Sequence, residues 1–274
     1  MSVEAPSSMG NASSQKTDFD KDWDGYSVLI DDRKDSPGWA VIREARESHW
    51  RELVQLPAGS HILDAGCGNG DYTRLALQDG ARVWAFDLSR EMVSATERRL
   101  AAAGLEAEEL QVASVLEIPY PDARFDVVLC FAVIDHVPDE RRLDAVRELV
   151  RVLKPGGTLY INTPNRYAYT WRAGHWLMRQ LGRFPKGKIR WLSPGELQAL
   201  CIEADCSLGR SLGLELLPPV SGIYTSDLER LTVLPESLIS VLDRWYLRVE
   251  QRLRRIDGLK PFCFHYFLEA TKRD

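Results

Sequence analysis

The sequence predicts an α/β fold, a mainly parallel sheet with helices on both faces. Three observations predict it. In the stretch HILDAGCGNGDYTRL, from His61 to Leu75, a short apolar run ends at Asp64 and glycines follow at every second position before a helical pattern begins. Further strand-like runs alternate with helix-like segments at the spacing of strand–helix–strand units. One of those runs, FDVVLCFAV from Phe125 to Val133, is almost continuously apolar, as a strand covered on both faces should be.

The elements follow in order. Met1 to Lys16 is rich in Ser, Ala, Gly and Asn, so residues 1–18 read as a disordered tail and residues 19–274 as one domain. Phe19 to Asp35 mixes acids with Trp23, Tyr26 and Leu29, more aromatic content than a tail needs. Gly38 to Leu56 carries Val41, Ala45, Trp50 and Leu53 at helical spacing and predicts a helix before the first strand. Ile62 and Leu63 end that strand, and Asp71 to Leu77 is the helix after the glycine turn. Arg82 to Phe86 is a second strand, with Asp87 at its end. Ser89 is placed to cap a helix from Arg90 to Ala103, which Gly104 stops. Leu110 to Ala113 and Phe125 to Val133 are the third and fourth strands. Pro138 to Leu153 reads as one amphipathic helix ended by Lys154-Pro155-Gly156-Gly157, and Thr158 to Asn162 as the fifth strand. Ser193 caps a further helix to Ala204, with Pro194 at its first position. Ser207 to Leu216 and Pro261 to Thr271 complete the strands, with a helix from Pro235 to Ile256 between them.

Composition narrows the function. A length of 274 residues and 45% hydrophobic content suffice for a sizeable core. The net charge of −5 speaks against a general nucleic-acid binder. The five cysteines, Cys67, Cys130, Cys201, Cys206 and Cys263, are odd in number and sit mostly in apolar runs, so they read as reduced thiols in a cytoplasmic protein. Cys201 and Cys206 have no second ligand pair beside them, and no metal site is predicted. No run approaches the roughly 18 apolar residues of a membrane span, and no signal peptide is recognised.

Strand, glycine turn and helix bring backbone close to a nucleotide-like ligand at a helix N-terminus. Here the order is Asp64-x-Gly66-x-Gly68-x-Gly70, with an acid before the first glycine. That carboxylate would repel a pyrophosphate and suits an ammonium group. The stretch resembles motif I of the class I S-adenosylmethionine-dependent methyltransferases, whose pattern is near D-x-G-x-G-x-G. Asp87-Leu88-Ser89 matches their D-x-S, and LEIPYPDARFDVV after Ser114-Val115 is similar to their segment before the fourth strand. Phe131 to Pro138 resembles the L-E-H-V motif of the ubiquinone-type and related small-molecule enzymes, with Asp135 in place of glutamate. Lys154-Pro155-Gly156-Gly157 and Asn162-Thr163-Pro164-Asn165-Arg166 complete the likeness, which is dense from His61 to Arg166.

The resemblance implies a Rossmann-like, seven-stranded, mainly parallel sheet whose last strand is antiparallel, with a helical cap over the acceptor site built from insertions at 166–192 and 217–260. It implies S-adenosyl-L-methionine as cofactor, held by Asp64, Gly66, Cys67 and Gly68 at the turn, by Asp87 and Leu88 at the ribose, by Met92, Ser114 and Val115 around the adenine, and by Phe131. Asp87 has the plain alternative of capping a helix, and Met92 that of a core residue. Ser114 stands where the family often has aspartate; it can accept a hydrogen bond but brings no charge.

His136 has two readings. It takes the proton of an acceptor hydroxyl, for which imidazole has a suitable pKa, or it hydrogen-bonds locally and shapes the pocket. Methyl transfer can also run mainly on alignment.

The segment Arg166 to Trp191 carries Arg166, Arg172, Arg179, Arg183, Lys186, Lys188 and Arg190, no acid, and interleaved aromatic residues including Tyr167, Tyr169, Trp171, Trp176, Phe184 and Trp191. It reads as an interfacial element that meets an anionic membrane, as a lid over the acceptor, or as a surface hairpin; in a lid, His175 is a secondary base candidate. Leu228 to Ile256 has a similar apolar and basic pattern and is expected to wall the acceptor site. Tyr26 and Trp23 are candidates to fold over the cofactor.

The expectation is therefore O-methylation of a hydrophobic hydroxylated aromatic or lipid-linked small molecule, in the cytoplasm and peripherally on the inner face of a membrane. An N- or sugar-methyltransferase, or a non-catalytic S-adenosylmethionine-binding partner subunit, are the alternatives.

Overall fold

The computed structural model describes residues 37–180, 191–216, 236–253 and 256–274. The 1–18 tail, Trp23 and Tyr26, Arg183 to Arg190, and the whole stretch from 217 to 235 lie outside the described residues.

Helix α1 (Pro37–Leu53) precedes β1 (His61–Ala65), α2 (Asp71–Gln78), β2 (Arg82–Asp87), α3 (Arg90–Ala102), β3 (Glu109–Val112) and β4 (Phe125–Phe131). Then come α4 (Arg142–Val152), β5 (Leu153–Pro164), α5 (Tyr169–Gln180), α6 (Pro194–Glu203), β6 (Cys206–Leu214), α7 (Glu236–Leu253) and β7 (His265–Lys272). The seven strands form one sheet in the order β3-β2-β1-β4-β5-β7-β6, and β7 alone runs antiparallel to both its neighbours.

Successive strand residues face opposite sides, and two apolar cores follow from this. Ile62, Val83, Val127, Leu129 and Phe267 pack on one face with Trp50 and Leu53 of α1 and Leu75 of α2. Leu63, Trp84, Val128, Cys130 and Leu268 pack on the other with Leu149 of α4 and Leu197 of α6. All five cysteines are buried and unpaired, and burial pushes the Cys201 thiol up to about 12.

Three predicted boundaries are corrected. The fourth strand stops at Phe131, not Val133, because Ala132 turns into the left-handed region at φ 55° and its N–H goes to Asn162 Oδ1 at 2.7 Å. The helix predicted from Pro138 begins at Arg142. Two 3-10 turns, Ile134–His136 and Asp139–Arg141, precede it, with Pro138 extended between them. The last strand starts at His265 rather than Pro261. Pro261 has no N–H for a ladder and lies in a 3-10 turn, Asp257–Phe262. Lys154 to Gly157 form the irregular start of β5 instead of ending a helix. The Ser193 cap is as predicted, a full capping box with Glu196.

Candidate active site

The turn from β1 into α2 is shaped by its glycines. Gly66 and Gly70 sit at φ 83° and 78°, where a side chain costs roughly 1–2 kcal/mol. A Cβ on Gly66 would run into the Val133 side chain, and one on Gly70 would lie 2.8 Å from Thr96 Cγ2. The turn is tied to β2, since the N–H groups of Gly66 and Cys67 donate to the Phe86 carbonyl at 2.8 and 2.9 Å. Thr96 of α3 donates to the Gly68 carbonyl at 2.7 Å.

Asp87 closes the same turn from the end of β2. Its Oδ2 accepts from Gly68 N at 2.9 Å and its Oδ1 from Ser89 N at 2.9 Å. One carboxylate thus fixes the glycine turn and the start of α3, where Ser89 Oγ accepts from Met92 N at 3.4 Å. Asp64 is 2% exposed, and Thr73 Oγ1 donates to its Oδ2 at 2.6 Å. Burial pushes its carboxyl up to about 7; the Thr73 bond opposes the rise and the charge of Asp87 adds to it. A buried carboxylate of this kind suits a cation, and at Gly66 and Gly70 the adjoining cradle has no room for a Cβ.

These groups open into one cavity of about 380 Å³, within the usual range of roughly 300–1,000 Å³ for small-molecule sites. The cavity follows the C-terminal edge of the parallel strands, where ligands bind in open α/β sheets. Every residue predicted to hold the cofactor lines it: Asp64, Gly66, Cys67, Gly68, Asp87, Leu88, Met92, Ser114, Val115 and Phe131. Ser114 Oγ accepts from Leu116 N at 3.1 Å, so part of its capacity is used locally. His136 also lines the cavity, with Nε2 3.5 Å from Asp135 Oδ2. His175 lies on α5, and its side chain is outside the described residues.

The predicted cofactor residues occupy the β3-β2-β1-β4 part of the edge. The part toward β5, β7 and β6 is lined by residues for which the sequence suggested no role, among them Arg46, Tyr72, Asn162, Leu214, His265 and Phe267. Tyr72 packs edge-on to Phe131 with ring centroids 4.5 Å apart, and Phe131 on Phe267 at 5.4 Å. Arg46 Nη1 lies 3.3 Å from Asp71 Oδ2. His265 Nδ1 lies 3.4 Å from Glu215 Oε2, and Glu215 is 4% exposed. Glu215 also has a left-handed backbone, φ 63°. Three contacts hold it there: its N–H donates to Glu250 Oε1 at 2.6 Å, and its carbonyl accepts from Phe264 N at 3.0 Å and Trp171 Nε1 at 2.9 Å. Strained residues of this sort are tolerated where surrounding structure over-determines them, often at functional sites. Tyr72 and Asn162 lie in recognised motifs, but no local motif joins them to Arg46, Leu214, His265 and Phe267, which come from α1, β6 and β7.

Comparison with known proteins fits this geometry. Residues 63–161 match a methyltransferase domain family. The chain is 30% identical over 172 residues to a ubiquinone biosynthesis O-methyltransferase from Pseudomonas fluorescens, covering 61% of this chain and 72% of that one. It is 28% identical over 165 residues to the protein of that name from Stutzerimonas stutzeri, covering 59% and 70%. Among solved structures, the YcgJ protein from Bacillus subtilis superposes with a TM-score of 0.58 at 21% identity, covering 84% of this chain and 99% of that one. The [4+2]-cyclase SpnF gives a TM-score of 0.58 at 17% identity, covering 84% and 80%. A cyclase on this fold shows why architecture by itself does not name a reaction.

Proposed function

The chain belongs to the class I S-adenosylmethionine-dependent methyltransferases, in the group of the ubiquinone O-methyltransferases, and from that premise we propose that it O-methylates a hydrophobic hydroxylated aromatic or lipid-linked small molecule. S-adenosylmethionine, when bound, supplies an electrophilic methyl group on a sulfonium. The observation that carries the reading is the division of the cavity. Its cofactor half has a buried carboxylate, Asp64, beside a glycine cradle, and a second carboxylate, Asp87, placed for hydroxyls. Its other half is walled by Tyr72, Phe131 and Phe267, which suits a flat apolar acceptor.

In this proposal Asp64 meets the ammonium group, Asp87 the ribose, and Met92 and Val115 flank the adenine. His136 stands where the two halves join, with the two roles the sequence left open.

We further propose contact with an anionic lipid surface through residues 166–191. Tyr167, Tyr169 and Trp176 are exposed there, as is Arg172. On α7, Val241, Trp245, Arg244, Arg248 and Arg252 are exposed as well. Trp171 and Thr170 tie α5 to the carbonyls of Glu215 and Leu216 at 2.9 Å each, so this helix starts beside the acceptor half. Among the described residues no helix is long and apolar enough to cross a membrane.

The test is turnover of alkyl-substituted catechols with S-adenosylmethionine, with and without anionic vesicles. Methyl ether formation, and co-sedimentation that weakens with salt, are expected. Binding of S-adenosylmethionine with no methylation of any phenol would overturn the acceptor reading. No sedimentation at low salt would overturn the membrane contact.

A further inference from the structure

We propose that the acceptor hydroxyl gives its proton to His265, backed by Glu215, and that His136 positions the acceptor instead of deprotonating it. This deepens the O-methylation reading and rests on it.

The placement follows from topology. β7 runs opposite to the other strands, so its first residue, His265, lies at the ligand edge, paired with Pro164 of β5 and Leu214 of β6. His265 lines the cavity on the side away from Asp64 and Asp87, where the acceptor belongs. Its Nδ1 faces the Glu215 carboxylate at 3.4 Å, which favours a proton on Nδ1 and leaves Nε2 as the nitrogen to accept one. Phe264 and Phe267 lie against the ring at 4.4 and 6.0 Å between centroids and limit its rotation. Glu215 is in turn held by Glu250, Phe264 and Trp171 in a backbone conformation that only a well-fixed site sustains.

The charge arrangement agrees. Burial pushes the Glu215 carboxyl up, but the hydrogen bond and charge of His265, with Arg46 of α1, hold it below the usual carboxylate range. An imidazolium on His265 and the ionised Glu215 carboxylate stabilise each other, which favours the protonated His265 formed by the transfer. The other titratable groups around this pair are Tyr72 and Asp71 of α2, Glu250 and Tyr246 of α7, and Cys263 just before β7. His136, by contrast, has its neighbouring carboxylate at Nε2 and a place at the cofactor boundary.

In the step, the acceptor O–H proton passes to His265 Nε2 as the oxygen lone pair forms the new O–C bond to the methyl group. The C–S bond breaks and its electron pair stays on sulfur. The products are the methyl ether, the thioether form of the cofactor, and a protonated His265 that returns its proton to solvent.

The test compares His265→Asn, Glu215→Gln and His136→Asn on two probes, an alkyl catechol and 4-nitrocatechol, whose phenol is far more acidic. His265→Asn should lose about 100-fold or more on the alkyl catechol and under about tenfold on the nitro probe near neutral pH. Glu215→Gln should show the same acidity dependence to a smaller degree, and His136→Asn a similar loss on both probes. A second readout needs no turnover. With S-adenosylhomocysteine bound, at a pH where free 4-nitrocatechol is mostly protonated, the wild-type chain should shift the probe's absorbance to the ionised form and His265→Asn should not. Equal losses on both probes for His265→Asn, wild-type turnover by that variant, or an unchanged absorbance shift would each overturn this inference alone. A wild-type chain that binds cofactor and methylates neither probe overturns the O-methylation reading and this inference with it.

Discussion

Replacing Asp64 with asparagine should make the empty protein more stable relative to wild type as pH rises, while removing its affinity for cofactor. The folded chain holds the Asp64 carboxyl at about 7 against an ordinary 3.8. Between those values the folded chain carries one more proton than the unfolded chain. Wild-type stability therefore falls as pH rises, by about 1.4 kcal/mol per pH unit, and levels off above pH 7. The amide in the Asp64→Asn variant carries no such dependence, and its oxygen can still accept from Thr73 Oγ1. Any fixed cost of the buried amide is the same at every pH and cancels. The stability difference, Asp64→Asn minus wild type, should thus grow by about 2 kcal/mol from pH 5 to pH 7, with only a few tenths more to pH 8. Urea unfolding of both proteins without ligand at four pH values reads this directly. Calorimetry with S-adenosylmethionine should show wild-type affinity rising with pH toward 7, as the carboxylate that meets the ammonium forms, and weak, flat binding by the variant. A stability difference that does not change with pH would refute the reasoning, since the carboxyl would then not be held protonated in the empty site.

Other substitutions test other parts of the site. Asp87→Ala removes the acceptor for two backbone N–H groups as well as the carboxylate proposed for the ribose. At about 1.5–3 kcal/mol for a hydrogen bond to a charged group, S-adenosylmethionine affinity should fall at least about tenfold in calorimetry, and an unchanged affinity would remove Asp87 from the site. Gly66→Ala should lower stability by at least about 1–2 kcal/mol and abolish cofactor binding, because its Cβ meets Val133; a variant that melts and binds like wild type would show the turn to be permissive. Asn162→Ala deprives the Ala132 N–H of its 2.7 Å side-chain acceptor. The Asn162 backbone carbonyl, 3.3 Å from the same N–H, remains as an acceptor, so the variant should lose about 0.5–1.5 kcal/mol in urea unfolding, and no loss would mean the left-handed Ala132 stands without the side chain.

The cofactor half is legible in the sequence because its residues are close along the chain and its constraints are local. A glycine that must leave room for a neighbour, an acid at the end of a strand, and a serine that caps the next helix each act within a few residues of one another. Ser89 and Ser193 are recognisable as caps for this reason. The errors come where a distant partner decides. The predicted fourth strand overruns because only Asn162, thirty residues on, explains why Ala132 leaves the ladder. The helix predicted from Pro138 begins late because Arg142 reaches back to the Ile134 carbonyl at 3.2 Å and to Asp139 at 3.0 Å, contacts that belong to 3-10 turns and not to helical periodicity. The half assigned to the acceptor is barely legible, since only Tyr72, Phe131 and Asn162 of its lining fall in recognised motifs. His265 resembles any other residue at the start of a strand until β7 is known to run backwards, and Glu215 gives no sign of its left-handed backbone.

The reversed strand has a consequence for how this enzyme could be re-engineered or diversified. Residues from His61 to His136 furnish the side of the cavity assigned to the cofactor, whereas the opposite side draws on Arg46 before that block and on Leu214, His265 and Phe267 after it. The two halves of the cavity therefore map onto largely separate stretches of gene. Exchange of the C-terminal third between relatives would bring in a new β6–β7 pair, and with it new acceptor contacts, while the glycine turn keeps its own Val133 and Thr96 neighbours. On the proposed assignment, one late antiparallel strand carries much of the acceptor side apart from the glycine turn.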